Sequence, residues 1–113
     1  MNSIDLARAA ASAAEDRSAR DIVVLDVSRI LTICDYFVIV SASNTRLVAA
    51  IAEEVEDQLT SRFDLKPAAV EGLDARRWVL LDYGDVIVHV FIDEERDYYR
   101  LERLYSDAPR IER

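Results

Sequence analysis

The residues Trp78-Val79-Leu80-Leu81-Asp82 and Val86-Ile87-Val88-His89-Val90-Phe91, on either side of Tyr83-Gly84-Asp85, constrain the fold more than any other part of the chain. Both runs are rich in β-branched and aromatic residues. The glycine between them takes a positive φ without steric cost, so the sequence predicts an antiparallel β-hairpin. Side chains alternate between the two faces of a strand. One face therefore carries Val79, Leu81, Val86, Val88 and Val90 and belongs to the core, while the other mixes Trp78, Leu80, Asp82, Asp85, Ile87, His89 and Phe91. Pairing symmetric about Tyr83-Gly84 sets Trp78 opposite His89, Leu80 opposite Ile87 and Asp82 opposite Asp85.

The rest of the chain supplies partners for this hairpin. Ser3 can cap a first helix that runs toward Arg20 through an alanine-rich stretch with a shallow apolar face. Residues 21–27 and 36–40 are β-branched runs that predict buried strands. From Ser43 or Asn44, the positions Leu47, Val48, Ile51, Val55 and Leu59 recur at helical spacing, and this helix has to end before Pro67. A short strand is expected at Ala69-Val70. After Asp93, a natural cap, a final amphipathic helix is expected to carry Tyr98, Leu101, Leu104 and Tyr105 on one face. Residues 64–67 and 71–77 read as exposed loops. The fold class is α/β, one domain over residues 1–109 with a mixed β-sheet and helices packed on it, followed by a mobile tail at residues 110–113.

With 113 residues, 51% hydrophobic and 32% charged, the chain has the length and balance of one globular domain. Its net charge of −8 would repel a phosphate backbone, which argues against direct sequence-specific nucleic-acid binding and favours a basic protein partner. Cys34 is the single cysteine, so neither an intrachain disulfide nor a cysteine metal cluster can form, as suits a reducing compartment. Residues 2–20 interrupt their alanines with Asp5, Arg8, Glu15, Asp16 and Arg17, so no signal peptide or membrane span is read there, and the expected location is the cytoplasm.

Two readings of the mixed hairpin face stay open. The final helix can cover it, burying Trp78 and Phe91 and leaving His89 with an internal hydrogen bond. Alternatively, an aromatic among aliphatics and acids forms a partly exposed patch with the composition of a protein-interface hot spot. Both hold if the helix covers only one end.

From Trp78 through Phe91, and on through Arg96, Tyr99, Leu101, Glu102 and Leu104, the chain resembles the ribosomal silencing factor (Iojap-like) family. Residues 21–27 and 35–39, the helix beginning near Ser43 and Glu71-Gly72 before the tryptophan are similar to that family in the same order. Tyr105 stands where many members carry tryptophan. The resemblance implies a nucleotidyltransferase-like topology without the catalytic motif, no enzymatic activity and no cofactor. It also implies docking on the large ribosomal subunit through ribosomal protein number fourteen, which blocks joining of the small subunit when nutrients are limiting. The family's contact region carries over onto Trp78 as the aromatic anchor, with Leu80, Asp82, Tyr83, Asp85 and His89 around it. Arg96, Tyr99 and Glu102 are assigned to locking the last helix on the sheet.

Two other functions compete. A metal-dependent nucleotidyltransferase would place magnesium among Asp82, Asp85 and Asp93, but the chain lacks a glycine-rich phosphate loop and the Gly-Ser motif with spaced aspartates. A homodimer could bury the aromatic face against itself when the protein is free.

Overall fold

The structure, a computed structural model, describes residues 2–113. Its first helix, α1 (Ser3–Asp16), is capped by Asn2, whose side chain accepts from the Asp5 amide at 3.0 Å. Ser3 is not the cap; its hydroxyl donates to Asp35 Oδ2 at 2.9 Å and ties α1 to the start of the second strand. The helix stops short of Arg20 because the chain turns through Ser18 in the left-handed region.

The strands β1 (Arg20–Asp26), β2 (Tyr36–Ala42), β3 (Ala69–Glu71), β4 (Trp78–Asp82) and β5 (Val86–Ile92) form one mixed sheet in the order β1-β2-β5-β4-β3. Only β2 and β5 are parallel. Their connection includes α2 (Thr45–Phe63), which lies with α1 on one face of the sheet. The hairpin core face points there: Val79, Leu81, Val86, Val88 and Val90 are fully buried against Val48, Ile51, Val55 and Leu59 of α2 and the alanines of α1. That alanine stripe, shallow in sequence, is what lets α1 lie close to the sheet.

At the start of α2, Asn44 accepts from the Leu47 amide at 2.8 Å, which resolves the choice between Ser43 and Asn44 as cap. At its end, Asp64 turns left-handed at φ 52, before Pro67. Asn44→Ala should lower stability by about 1 kcal/mol, or about 4 °C in Tm, while Ser43→Ala should leave thermal unfolding nearly unchanged.

The hairpin register differs from the expected one by two residues: Trp78 pairs with Phe91, Leu80 with His89 and Asp82 with Ile87. The turn is centred on Gly84-Asp85, closed by the Tyr83 amide donating to the Val86 carbonyl at 2.9 Å. Of the two central residues only Gly84 has a positive φ, the pattern of a type II′ turn. A shift of two leaves every side chain on its expected face, but Asp82 and Asp85 no longer oppose each other.

The last helix is also different. It breaks into α3 (Asp93–Tyr99) and α4 (Leu101–Leu104) at Arg100, which is left-handed at φ 49. Asp93 is its first residue and makes no capping bond. The break separates the expected apolar face: Leu101 is buried, Tyr105 is half-buried, and Tyr98 and Leu104 are 80% and 71% exposed. Beyond it, residues expected to be mobile run beside β1. The Asp26 amide donates to the Pro109 carbonyl at 2.8 Å, and the Ile111 amide donates to the Val24 carbonyl at 2.8 Å.

Candidate functional site

The sheet face opposite α1 and α2 is covered unevenly. Over β1, β2 and β5, a second cluster joins Leu25, Phe37, Ile39 and Phe91 to Val27, Cys34, Leu101 and Ala108. The cover thins toward β4, where Trp78, Leu80 and Asp82, with Ile87 beside them on β5, are only half-buried. Neither sequence reading of this face excludes the other: Phe91 is fully buried and Trp78 is not.

The tryptophan is held from three sides. Its ring stacks on Phe91 at 4.7 Å between centroids and meets Tyr99 of α3 at 4.8 Å. Its indole N–H donates to His89 Nδ1 at 3.1 Å. That bond fixes the imidazole tautomer, since a ring nitrogen that accepts cannot carry the proton. His89 is 4% exposed and makes an edge contact with Phe37 at 4.7 Å. Burial lowers its pKa from the usual 6.5 to about 4, so the ring is neutral near pH 7. His89 therefore lies beneath the patch, where it supports Trp78; its Nε2 has no hydrogen-bond partner among the described residues.

The expected acidic rim divides. Asp82 Oδ1 accepts from the Gly84 amide at 2.8 Å, so this carboxylate also shapes the turn. The Asp85 side chain is exposed, and its carbonyl accepts from the amides of Asp35 and Tyr36 at 2.8 and 3.0 Å, fastening the turn to β2. Tyr83 points away from Trp78 and packs against the helix-side core. Its hydroxyl is buried without a partner, and burial with the nearby Glu56 pushes its pKa up. The structure thus brings Trp78, Leu80, Asp82 and, underneath, His89 together, and separates Tyr83 from them. Ile87, which the site reading omitted, belongs to the patch; its place on the mixed face was the signal for it.

The acids of a nucleotidyltransferase site are not assembled. Asp85 and Asp93 lie at opposite ends of β5, roughly 25 Å apart at the rise of a strand. Among the described residues no group of three or more His, Cys, Asp or Glu could hold a metal ion. The Cys34 thiol is buried, and burial raises its pKa. None of the described helices is long and apolar enough to cross a membrane.

Arg96 has the locking role expected of it. Its guanidinium is buried and bonds Glu102 at 3.2 Å, Ser41 Oγ at 3.1 Å and the Arg20 carbonyl at 3.4 Å, joining α3 and α4 to the ends of β1 and β2.

Known proteins resemble this chain in sequence and in overall fold. The model of a family described as "Ribosomal silencing factor during starvation" matches residues 1–113. The ribosomal silencing factor RsfS of Bacillus subtilis is 44% identical, over 96% of this chain and 92% of its own. A mouse protein named for mitochondrial assembly of the ribosomal large subunit is 35% identical, over 79% of this chain and 40% of its own. A crystal structure from Chromobacterium violaceum superposes with a TM-score of 0.90 at 32% identity, covering 94% of this chain and 88% of that one. On the length and identity of these matches, the chain belongs to the ribosomal silencing factor family.

Proposed function

We propose that this protein regulates translation by docking the β4–β5 face on ribosomal protein number fourteen of the large ribosomal subunit and excluding the small subunit from the joining surface. The observation that carries this is the half-buried Trp78, stacked on Phe91 and bonded to His89, with half-buried Leu80 next to it and Ile87 further along the same face. Such an anchor is the kind of residue that dominates binding energy at an interface. Exposed carboxylates at the margins of this face, Glu71 opposite Leu80 and Asp85 at the hairpin turn, suit a basic ribosomal protein. Family membership supports the ribosome as the target, and no catalytic step is needed for a body that acts by occupying space.

Leu80→Arg tests the surface better than Trp78→Ala, because removing the indole also strips packing from Phe91 and a hydrogen bond from His89. An arginine at position 80 sits opposite Glu71, with which it can pair, so the fold is expected to survive. It would meet a basic partner with like charge. Co-sedimentation with isolated large subunits should fall about thirtyfold, the size of a 2 kcal/mol hot spot, and small subunits should carry down neither protein. Equal binding of wild type and variant would remove this face from the docking site. A dimer of the free protein dissociated by the same substitution would show that self-association uses the same surface.

A further inference from the structure

At the far end of the sheet from the hairpin turn, an open cleft of about 890 Å³ is lined by Arg20, Arg96, Arg100, Arg103 and Arg110. These five arginines face four carboxylates, of Asp21, Asp93, Asp97 and Glu102, in a chain whose net charge is −8. Two of the carboxylates are occupied: Asp93 pairs with Arg20, and Glu102 with Arg96. Arg100, Arg103 and Arg110 form no salt bridge among the described residues, and all three are exposed. The left-handed turn at Arg100 swings α4 so that Arg100 and Arg103 line the same opening. The sequence hides this grouping because its members are scattered from position 20 to position 110.

The cleft adjoins the aromatic face. Arg20, Ser41, Phe91 and Trp78 occupy one row across β1, β2, β5 and β4, which puts Arg20 roughly 14 Å from Trp78 at three strand spacings. Tyr99, which packs on Trp78, directly precedes Arg100. A body seated on Trp78 therefore has its neighbouring surface over the cleft.

We infer that this cleft takes backbone phosphates of ribosomal RNA, beside the protein contact made by the hairpin; the inference rests on the docking proposed above. Guanidinium forks match phosphate oxygens in pairs. The cleft is open and has no aromatic wall on which a base could stack, so it suits a phosphate backbone better than a free nucleotide. The overall negative charge still repels nucleic acid at large, and this local patch would act only once the hairpin has placed it.

The test is the salt dependence of co-sedimentation with large subunits for wild type, Arg103→Ala/Arg110→Ala and Leu80→Arg, followed by ultraviolet crosslinking of the wild-type complex. The double arginine variant should bind about tenfold more weakly, and its slope of log affinity against log salt should be shallower by roughly 1.5 for two lost phosphate contacts. Peptides spanning residues 100–110 should carry crosslinked nucleotides. An unchanged affinity and slope in that variant, with binding still lost in Leu80→Arg, overturns the RNA contact and leaves the hairpin docking intact. Crosslinks from 100–110 to protein alone also overturn it. So does a thermal shift with nucleoside triphosphate that the arginine variant abolishes, which would make the cleft a small-molecule site. Failure of the wild type to sediment with large subunits overturns both proposals.

Discussion

Replacing Gly72 by alanine is expected to lower folding stability by roughly 3 to 4 kcal/mol, on the order of 10–15 °C in Tm, although the residue lies in an exposed loop. Two costs combine. Gly72 has φ +88, a conformation that L side chains rarely adopt. A Cβ there would also stand 2.0 Å from the Trp78 carbonyl oxygen and 3.0 Å from its carbon, and this backbone cannot yield without moving the start of β4. Gly84 serves as the comparison: it too is left-handed at φ +85, but an added Cβ meets nothing within 4 Å, so Gly84→Ala should cost only about 1–2 kcal/mol. The chain's single tryptophan sits where the clash falls, so its emission should shift in native Gly72→Ala and not in Gly84→Ala. Equal melting temperatures for the two variants would mean that the close approach at Trp78 is not limiting.

The second large effect is one of pH. A histidine at about 4 in the folded chain and near 6.5 when unfolded binds more protons in the unfolded state between those values. Stability should therefore be complete above pH 6.5 and fall as pH drops through the window, by about 2 kcal/mol at pH 5 and roughly 3 kcal/mol near pH 4. His89 is the only histidine, so one substitution isolates the effect. Asparagine can place its carbonyl near the former Nδ1 and still accept from the indole, so His89→Asn should have a much flatter profile between pH 7 and 5. Urea midpoints at pH 7, 6 and 5 decide it; parallel losses in both proteins would assign the slope to carboxylates instead.

The faces of the hairpin could be read from alternation alone, yet its register could not. Tyr83-Gly84 and Gly84-Asp85 are both two-residue loops containing the glycine, and the choice depends on contacts outside the hairpin, including the hold of β2 on the Asp85 carbonyl. Helix α2 was legible because its apolar period, cap and terminating proline agree. The last helix was not, since the spacing of Tyr98, Leu101 and Leu104 is helical while Arg100 adopts a left-handed turn that no glycine announces. On the candidate face, the positions of Trp78 and Leu80 were legible from alternation along β4. Tyr83 was misplaced because the assumed turn left its side unsettled, and once it pairs with Val86 it joins the core side. Burial of His89 depends on Phe37, which lies some fifty residues earlier in the chain.

The clamp around Trp78 bears on how quickly and how cheaply a partner can engage. Locking a free side chain during association costs about 0.5–1.5 kcal/mol of rotamer entropy, whereas a ring stacked on Phe91, pressed by Tyr99 and bonded to His89 has already lost that freedom on folding. Free and docked forms should then superimpose at this ring, and encounter should proceed as rigid bodies meeting, without a slow rearrangement step.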